Sequence, residues 1–250
     1  MKTKSKALLL TLCAVLLVAA SVLGTMAYLT STDTVTNTFT VGKVEIKLDE
    51  AKVNADGIPV EGADRVTANS YKLMPGNTYT KDPTVTVKAG SEESYVRMKV
   101  TFNNATKIIA LCTDPEWAED GPTGTEKAYP LMYMVNFVEA NAAKWDGIIP
   151  DNMFEIEKML GDEKNGTKYF TYDKANDTLI YYFYYTETVG APNGDVVLPV
   201  LFDSIKVPEH VTGEQLKALD NFKITVVAEA IQAGTFANAD KAWEAFATQP

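Results

Sequence analysis

Apolar and polar side chains alternate with a period of two in several short segments of this 250-residue chain, and this alternation restricts the possible folds more than any other sequence feature. Every second residue is apolar between Val96 and Phe102, and the same holds between Phe222 and Ala230. Successive side chains of a strand point to opposite faces, so this period predicts strands that bury one face. Alternation or a short apolar run predicts further strands at 28–41, 44–48, 84–87, 169–172, 179–185, 196–202 and 205–207.

The order of the predicted elements indicates the fold class. Strands follow one another at intervals of roughly ten residues. Helices are predicted only as insertions, at 131–143, 152–160, 212–219 and 239–246, and the third begins with the capping-box spacing of Thr212 and Gln215. A parallel α/β fold would need a helix between successive strands. We therefore predict an all-β fold, an antiparallel β-sandwich or jelly roll with a few short inserted helices.

The N-terminus has the features of a secretory signal. Three lysines among the first six residues precede an apolar run at 7–23. A run of about 17 residues is at the lower limit for crossing a membrane, which leaves a retained anchor as the alternative. Thr25 and Ala27 are the small residues that a signal peptidase needs three and one positions before its cut. We expect cleavage between Ala27 and Tyr28.

This cleavage implies three regions and an exported, acidic product. Residues 1–27 form the signal peptide, 28–42 an N-terminal strand, and 43–250 a β domain. Removing three lysines from a chain with a net charge of −10 leaves −13. A strongly acidic protein is repelled by nucleic acid and by anionic lipid, so neither is expected as a partner. We expect the protein to be secreted into the extracellular matrix or held at the cell surface.

Few residues of the chain are suited to catalysis. His210 is the only histidine, so a zinc site with two histidines is impossible within one chain. A Ser-His-Asp triad would have to use His210, which we interpret instead as an exposed loop residue. Cys13 lies in the signal peptide, and Cys112 is interpreted as a small buried apolar residue. No catalytic residue and no metal site are predicted, and we expect a protein that is not an enzyme.

Two groups of residues suggest binding, and in both cases a structural interpretation is favoured. The acid-rich segments (Asp49, Glu50 and Asp56; Asp114, Glu116, Glu119 and Asp120) lack EF-hand spacing, so solvated loops are favoured over Ca²⁺ sites and no cofactor is expected. The aromatic run at 179–185 contains tyrosines that could form a sugar-binding platform. Tyr182 and Tyr184 share one face, and Tyr181, Phe183 and Tyr185 the other. One face is expected in the core and the other covered.

The N-terminal strand is the most unusual segment. Residues 28–41 contain no Pro or Gly and only one charged residue, Asp33. Cleavage would give this strand a free end, which could then pair with the sheet edge of another subunit. Its apolar side chains on one parity are Leu29, Val35, Phe39 and Val41. Donor and acceptor surfaces differ, so the contact is head-to-tail and would build fibres. The alternative, a first strand of its own sheet, is favoured by the residues alone.

Several motifs resemble those of the TasA/camelysin family of exported bacterial proteins. They are Gly24-Thr25-Met26-Ala27-Tyr28-Leu29, Phe39-Thr40-Val41-Gly42, Leu73-Met74-Pro75-Gly76 followed by Lys81-Asp82, and Ala228–Ala233 with Trp243. The resemblance covers about residues 1–105 and 222–245. It implies a signal peptide removed by a dedicated ER-type signal peptidase, followed at once by a strand.

The resemblance also implies a function. It implies a jelly-roll subunit of biofilm-matrix fibres that forms a homopolymer by donating its N-terminal strand, with a possible accessory matrix or anchor protein. Camelysin is assigned as a metalloendopeptidase, so a secreted peptidase is one alternative, although no zinc ligand set supports it. A monomeric surface binding module or adhesin that shares only the export signal is the other.

Overall fold

The computed structural model describes residues 43–111, 134–147 and 168–248, together with Leu12, Cys13 and Leu16. The chain divides into two units, Met1–Val41 and Gly42–Pro250. The three described residues of the first unit are helical and exposed. The predicted cleavage site, the predicted strand at 28–41 and the predicted helix at 152–160 lie outside the described residues.

The second unit consists mainly of short strands. In chain order the strands are β1 (Ile46–Asp49), β2 (Thr78–Thr80), β3 (Thr84–Val87), β4 (Ser91–Asn103), β5 (Val135–Phe137), β6 (Trp145–Asp146), β7 (Phe170–Asp173), β8 (Thr178–Tyr185), β9 (Val189–Ala191), β10 (Val196–Val197), β11 (Phe202–Lys206) and β12 (Ile224–Gln232). The helices are α1 (Ala105–Leu111), α2 (Gly213–Ala218) and α3 (Ala239–Phe246), with a 3₁₀ helix at Glu139–Lys144.

The described strands form three antiparallel sheets. The largest is built on β4, which pairs with β12 on one side and with β8 and β9 on the other. β8 also pairs with β6 and β7. The other two sheets have the orders β1-β3-β10 and β2-β11-β5. The prediction of a mostly β, antiparallel protein with a few short helices is therefore confirmed.

The alternation seen in the sequence places one face of β4 in the core. Val96, Met98, Val100 and Phe102 are each at most 1% exposed, and they pack with residues from all three sheets in one apolar cluster. Burial of each such side chain contributes about 1.5–3 kcal/mol. The central strand and its core face thus agree with the sequence pattern.

The helices of the structure agree in part with those that the sequence predicts. α3 has the predicted bounds, and α2 begins after Thr212, which forms a capping box with Gln215. The predicted helix at 131–143 is wrong over Val135–Phe137, which form β5, and Glu139–Lys144 is a 3₁₀ helix. The β-branched and aromatic side chains of β5 favour a strand once β11 is available as a partner.

The predicted strand at 196–202 is interrupted in the structure. Only Val196–Val197 and Phe202 are in strands, because Pro199 has no N–H to donate to a neighbouring strand. The prediction of separate strands at 196–202 and 205–207 is wrong at residues 203–204, since both of these residues belong to β11. A shift in register beside Asp203 accommodates them, and Asn136 of β5 donates a hydrogen bond of 2.8 Å to the Asp203 carboxylate.

Within the described part of the chain, no helix is both long enough and apolar enough to cross a membrane.

Candidate functional site

A groove with a volume of about 680 Å³ lies between β1 and β12, the edge strands of two different sheets. Leu48 and the segment 66–71 line one part of it, and residues 222–226 line another. The buried side chains of Tyr79 and Ile205 also contribute to the lining. We call this feature the β1–β12 groove.

Both strands beside the groove have one unpaired edge in the described part of the chain. β1 pairs only with β3, and β12 pairs only with β4. The Cα atoms of β1 and β12 approach within 8 Å, yet no backbone hydrogen bond joins the two strands among the described residues. Such edges present N–H and C=O groups that can pair with an added strand.

The apolar face of β12 is incompletely covered. Its core-facing side chains contact the main apolar cluster but are only half-buried: Ile224, Val226, Ala228 and Ala230. Ile46 and Leu48 of β1 are half-buried in the same way. Every core-facing side chain of β4 between Val96 and Phe102, by contrast, is at most 1% exposed. Apolar surface on both borders of the groove is therefore available for burial by another segment.

An ion cluster around Arg65 closes one end of β1. Arg65 Nε donates to Asp49 Oδ1 at 2.6 Å, and its Nη1 donates to Asp82 Oδ2 at 2.8 Å. Nη2 donates to the Thr84 hydroxyl at 2.7 Å. Burial raises the pKa of the Asp49 carboxyl, but hydrogen bonds from Lys47 and Arg65 outweigh burial and hold that pKa below its usual value. The cluster connects the loop that contains Arg65 to the ends of β1 and β3.

A second charged group, formed by Glu50, Lys81 and Asn69, lies beside the first and lines the groove. Lys81 Nζ donates to Glu50 Oε2 at 2.6 Å, and Asn69 Nδ2 donates to Glu50 Oε1 at 2.9 Å. The side chains of Lys81 and Glu50 are 9% and 7% exposed. Tyr71 is adjacent, and its pKa is raised by burial and by the negative charge of Glu50.

The acidic residues considered as Ca²⁺ ligands do not form a common site. Asp49 and Glu50 are buried and bound to cationic side chains, whereas Asp56 is exposed in a hairpin turn. The interpretation of this segment as a solvated loop is therefore wrong for Asp49 and Glu50. No cluster of potential metal ligands occurs in the part of the chain that is described. The second acidic segment, 114–120, lies outside it.

The only histidine has a structural contact. His210 Nε2 donates a hydrogen bond of 3.0 Å to the carbonyl oxygen of Leu111, the last residue of α1. The side chain is half-buried, so the prediction of an exposed loop histidine is wrong. The contact connects the segment before α2 to α1. Cys112, which follows Leu111, lies outside the described residues.

The tyrosine-rich strand β8 has both faces largely occupied. Tyr181 and Phe183 are buried in the core. On the opposite face Tyr184 is 9% exposed and packs against Trp243 of α3 with ring centroids 5.8 Å apart. Tyr182 lies under the Arg97 guanidinium, 4.9 Å from ring centroid to Cζ. The expected arrangement, with one face in the core and the other covered, is therefore confirmed.

The predicted functional residues and the observed groove come from different parts of the chain. Thr25, Ala27 and Tyr28 of the predicted cleavage site and Leu29, Val35, Phe39 and Val41 of the predicted donor strand all lie outside the described residues. Asp49 and Glu50 line the groove and are considered in the sequence analysis only as Ca²⁺ ligands, and no groove between two strand edges is predicted there. The alternation at 222–230 identifies the buried face of β12, but it contains no signal that this strand is at an edge.

Comparisons with protein-family models, with curated proteins and with solved structures find no match to this chain.

Proposed function

We propose that this protein is a secreted structural subunit of extracellular, biofilm-matrix fibres. Each subunit inserts its N-terminal strand, residues 28–41, into the β1–β12 groove of the next subunit. The observation that carries this proposal is the pair of unpaired edges with half-buried apolar side chains on both sides of the groove. The proposal also assigns the finer fold: a jelly-roll sandwich that the donated strand completes.

The donor and the acceptor match in length and in chemistry. Fourteen extended residues span roughly 45 Å, whereas the nine residues of β12 span roughly 30 Å. The donor is therefore long enough to pair along the whole of β12. In an extended strand its apolar side chains, Leu29, Val35, Phe39 and Val41, would share one face with Ser31, Asp33 and Asn37. That face would cover Ile224 and Val226, while the backbone would pair with the free edge.

The charge of the subunit also supports a contact made by backbone and apolar groups. A subunit with a net charge of −13 repels its copies at long range, so association must rely on short-range contacts. The donor strand contains only one charged residue, Asp33. Cleavage by a signal peptidase would free the donor end only outside the membrane, which would prevent assembly inside the cell. An accessory matrix or anchor protein would hold the fibre at the cell.

The test compares two purified proteins that begin at Tyr28 and at Gly42. We expect the longer protein to elute in the void volume and to form filaments by negative-stain electron microscopy, and the shorter one to remain monomeric. Circular dichroism checks that both are folded. Filaments from the shorter protein, or a folded longer protein that stays monomeric at high concentration and acidic pH, would contradict strand donation.

A peptide of residues 28–41 tests the acceptor directly. It should bind the protein that begins at Gly42 in a fluorescence anisotropy titration. Replacement of Val35 and Phe39 by Asp in the peptide should abolish binding, because these side chains would be buried. A peptide in which Thr34 and Thr38 are replaced by Asp is the matched control, since both lie on the opposite face. Equal binding of the two substituted peptides would contradict the proposed orientation.

A surface binding module is a second candidate, favoured by another groove. This groove has a volume of about 430 Å³ and is lined by aromatic side chains, including Trp145 and Tyr185, with Asp146 and Lys168. Rings with neighbouring charged groups are suited to sugars. Binding of the purified protein to a glycan array, lost on Tyr185→Ala, would support this candidate. The absence of binding to every glycan on the array would exclude this candidate.

A further inference from the structure

Three chain segments meet at the buried Glu50 carboxylate. Glu50 directly follows β1, Lys81 directly follows β2, and Asn69 belongs to the loop between those strands. Residues Glu50 and Val66 exchange a pair of backbone hydrogen bonds of 2.8 Å, which holds the loop against the end of β1. The Glu50 and Lys81 side chains are both more than nine-tenths buried. The two charges are therefore removed from water, which is costly for an ion pair.

The Glu50 carboxylate binds an amine and a carboxamide at once. Its Oε2 accepts from Lys81 Nζ at 2.6 Å, and its Oε1 accepts from Asn69 Nδ2 at 2.9 Å. The amide group of Asn69 is held on both sides. Its Nδ2 also donates to the carbonyl oxygen of Ala51 at 2.8 Å, and its Oδ1 accepts from the backbone N–H of Val53 at 3.0 Å. The N–H of Val53 polarises the Asn69 carbonyl, as an oxyanion-hole donor does.

These four groups are the parts needed to form an amide bond. Lys81 supplies the nucleophilic nitrogen, and Asn69 supplies the carbonyl carbon, from which its amide nitrogen leaves as ammonia. Glu50 acts first as a base and then as an acid, and the N–H of Val53 donates a hydrogen bond to the oxyanion. We propose that the folded chain forms a covalent amide bond between Lys81 Nζ and Asn69 Cγ without any cofactor. The proposal is independent of fibre assembly.

The reaction balances without an oxidant or a reductant. Glu50 accepts a proton from the Lys81 ammonium, and the neutral Nζ attacks Cγ of Asn69, which forms the Nζ–Cγ bond. Negative charge develops on Oδ1 beside the Val53 N–H. A second proton from Nζ passes through Glu50 to Nδ2, the Cγ–Nδ2 bond breaks and ammonia leaves. The products are a secondary amide, a protonated Glu50 and one ammonia molecule, so both buried charges are eliminated.

The bond would tie the loop beside the groove to the end of β2. Asn69 and Lys81 both line the β1–β12 groove, and the cross-link would close the chain between them into a ring. The segment 66–71 would then be held in place even when the strands separate. The expected signature is resistance of this ring to unfolding and to proteolysis.

Intact-mass measurement of the purified, denatured protein tests the proposal. The mass is compared with the mass calculated from the sequence, starting at the N-terminus that the protein is found to have. We expect the measured mass to be lower by about 17 Da, the mass of the ammonia that is lost. Tryptic digestion should give one branched peptide that contains Asn69 and Lys81, with no cleavage after Lys81. Glu50→Gln, Asn69→Ala and Lys81→Arg should each restore the full mass. Lys52→Arg, at an exposed position, is the control and should keep the deficit.

Two other outcomes would overturn the proposal. If the wild-type mass equals the mass calculated from the sequence, no amide bond has formed, and Glu50 and Lys81 are only an ion pair hydrogen-bonded to Asn69. The masses of the variants do not change this conclusion. A deficit of about 17 Da that persists in Asn69→Ala places the ammonia loss elsewhere, for example in a succinimide at Asn165-Gly166 or Asn193-Gly194. The succinimide is hydrolysed at alkaline pH, whereas an amide between Lys81 and Asn69 is stable there.

Discussion

The guanidinium of Arg97 lies 4.2 Å from the ring centroid of Trp243, so a strand at the centre of the largest sheet is bound to the helix that covers it. Arg97 Nε also donates to Glu229 Oε2 at 2.6 Å on the neighbouring strand β12. Trp243 is 6% exposed and packs in turn on Tyr184. One cation thus connects β4, β12 and α3, and the outer face of the sheet is closed by aromatic rings.

Removal of the indole should destabilise the protein. Trp243→Ala leaves a cavity under α3 and is expected to lower the free energy of unfolding by about 3–5 kcal/mol. Lys241→Ala, on the exposed side of the same helix, should change it by less than about 0.5 kcal/mol. Urea unfolding followed by circular dichroism measures both. A loss for Trp243→Ala as small as the one expected for Lys241→Ala would show that the indole does not stabilise the sheet.

Gly57 is expected to resist substitution because two constraints coincide there. Its φ is +77°, and a Cβ atom would lie 2.7 Å from the Cα of the buried Tyr79. Gly57→Ala should therefore cost about 2–3 kcal/mol of stability. Gly62 has a φ of +71° but no atom within 4 Å of the Cβ position. Gly62→Ala therefore measures the cost of the positive φ alone, without a steric clash, and we expect it to lower the stability by about 1 kcal/mol. Thermal unfolding of both variants measures the difference, and equal losses would contradict close packing at Gly57.

Acid should weaken the cluster around Asp49 in a defined pH range. The folded-state pKa of Asp49 lies below its ordinary value of 3.8, so the unfolded chain binds more protons in that range. The stabilisation by Asp49 is therefore complete above about pH 5 and is lost as the pH falls through the folded-state pKa. Asp49→Asn should be less stable than the wild type at pH 7, and the difference should shrink as the pH falls below about 4 and through the folded-state pKa of Asp49.

Urea midpoints measured from pH 7 to pH 2 test this dependence. Asp173→Asn is a suitable comparison, because hydrogen bonds donated by Asn176 also lower the pKa of Asp173, but this partly exposed carboxylate accepts them within the turn that follows β7. We expect a smaller effect from it. A difference between wild type and Asp49→Asn that stays constant over the whole range would contradict the linkage.

The two faces of β12 should respond differently in assembly. Val226→Asp places a charge on the half-buried face beside the groove and is expected to abolish filaments. Val227→Asp lies on the exposed face of the same strand and should leave filaments intact. Light scattering and electron microscopy of the proteins that begin at Tyr28 provide the readout, with circular dichroism as the folding control. If both variants are folded and neither forms filaments, the idea that only the half-buried face of β12 receives the donor strand is contradicted.

Local sequence patterns are sufficient to predict the strands and helices whose signals come from residues close to one another in the chain. The alternation at 96–102 and 222–230 predicted β4 and β12, and the Thr212 capping box predicted α2, because these signals depend on neighbours close in the chain. The local pattern at 131–143 does not predict β5, because its three residues become a strand only through pairing with β11. Asp203 joins β11 for the same reason, since its partner Asn136 is distant in sequence.

The sequence by itself determined that the protein is mostly antiparallel β, which face of each long strand is buried, the acidic charge and the scarcity of residues suited to catalysis. Only the tertiary structure decided which strands are edges, and so where the β1–β12 groove lies. The contacts among Glu50, Asn69 and Lys81 are visible only in the tertiary structure. The sequence predicts Asp49 and Glu50 in a solvated loop, whereas the structure buries them against Arg65 and Lys81. The physical reason is that periodicity reports which side of a strand is buried, whereas pairing and burial of charge depend on contacts between distant segments.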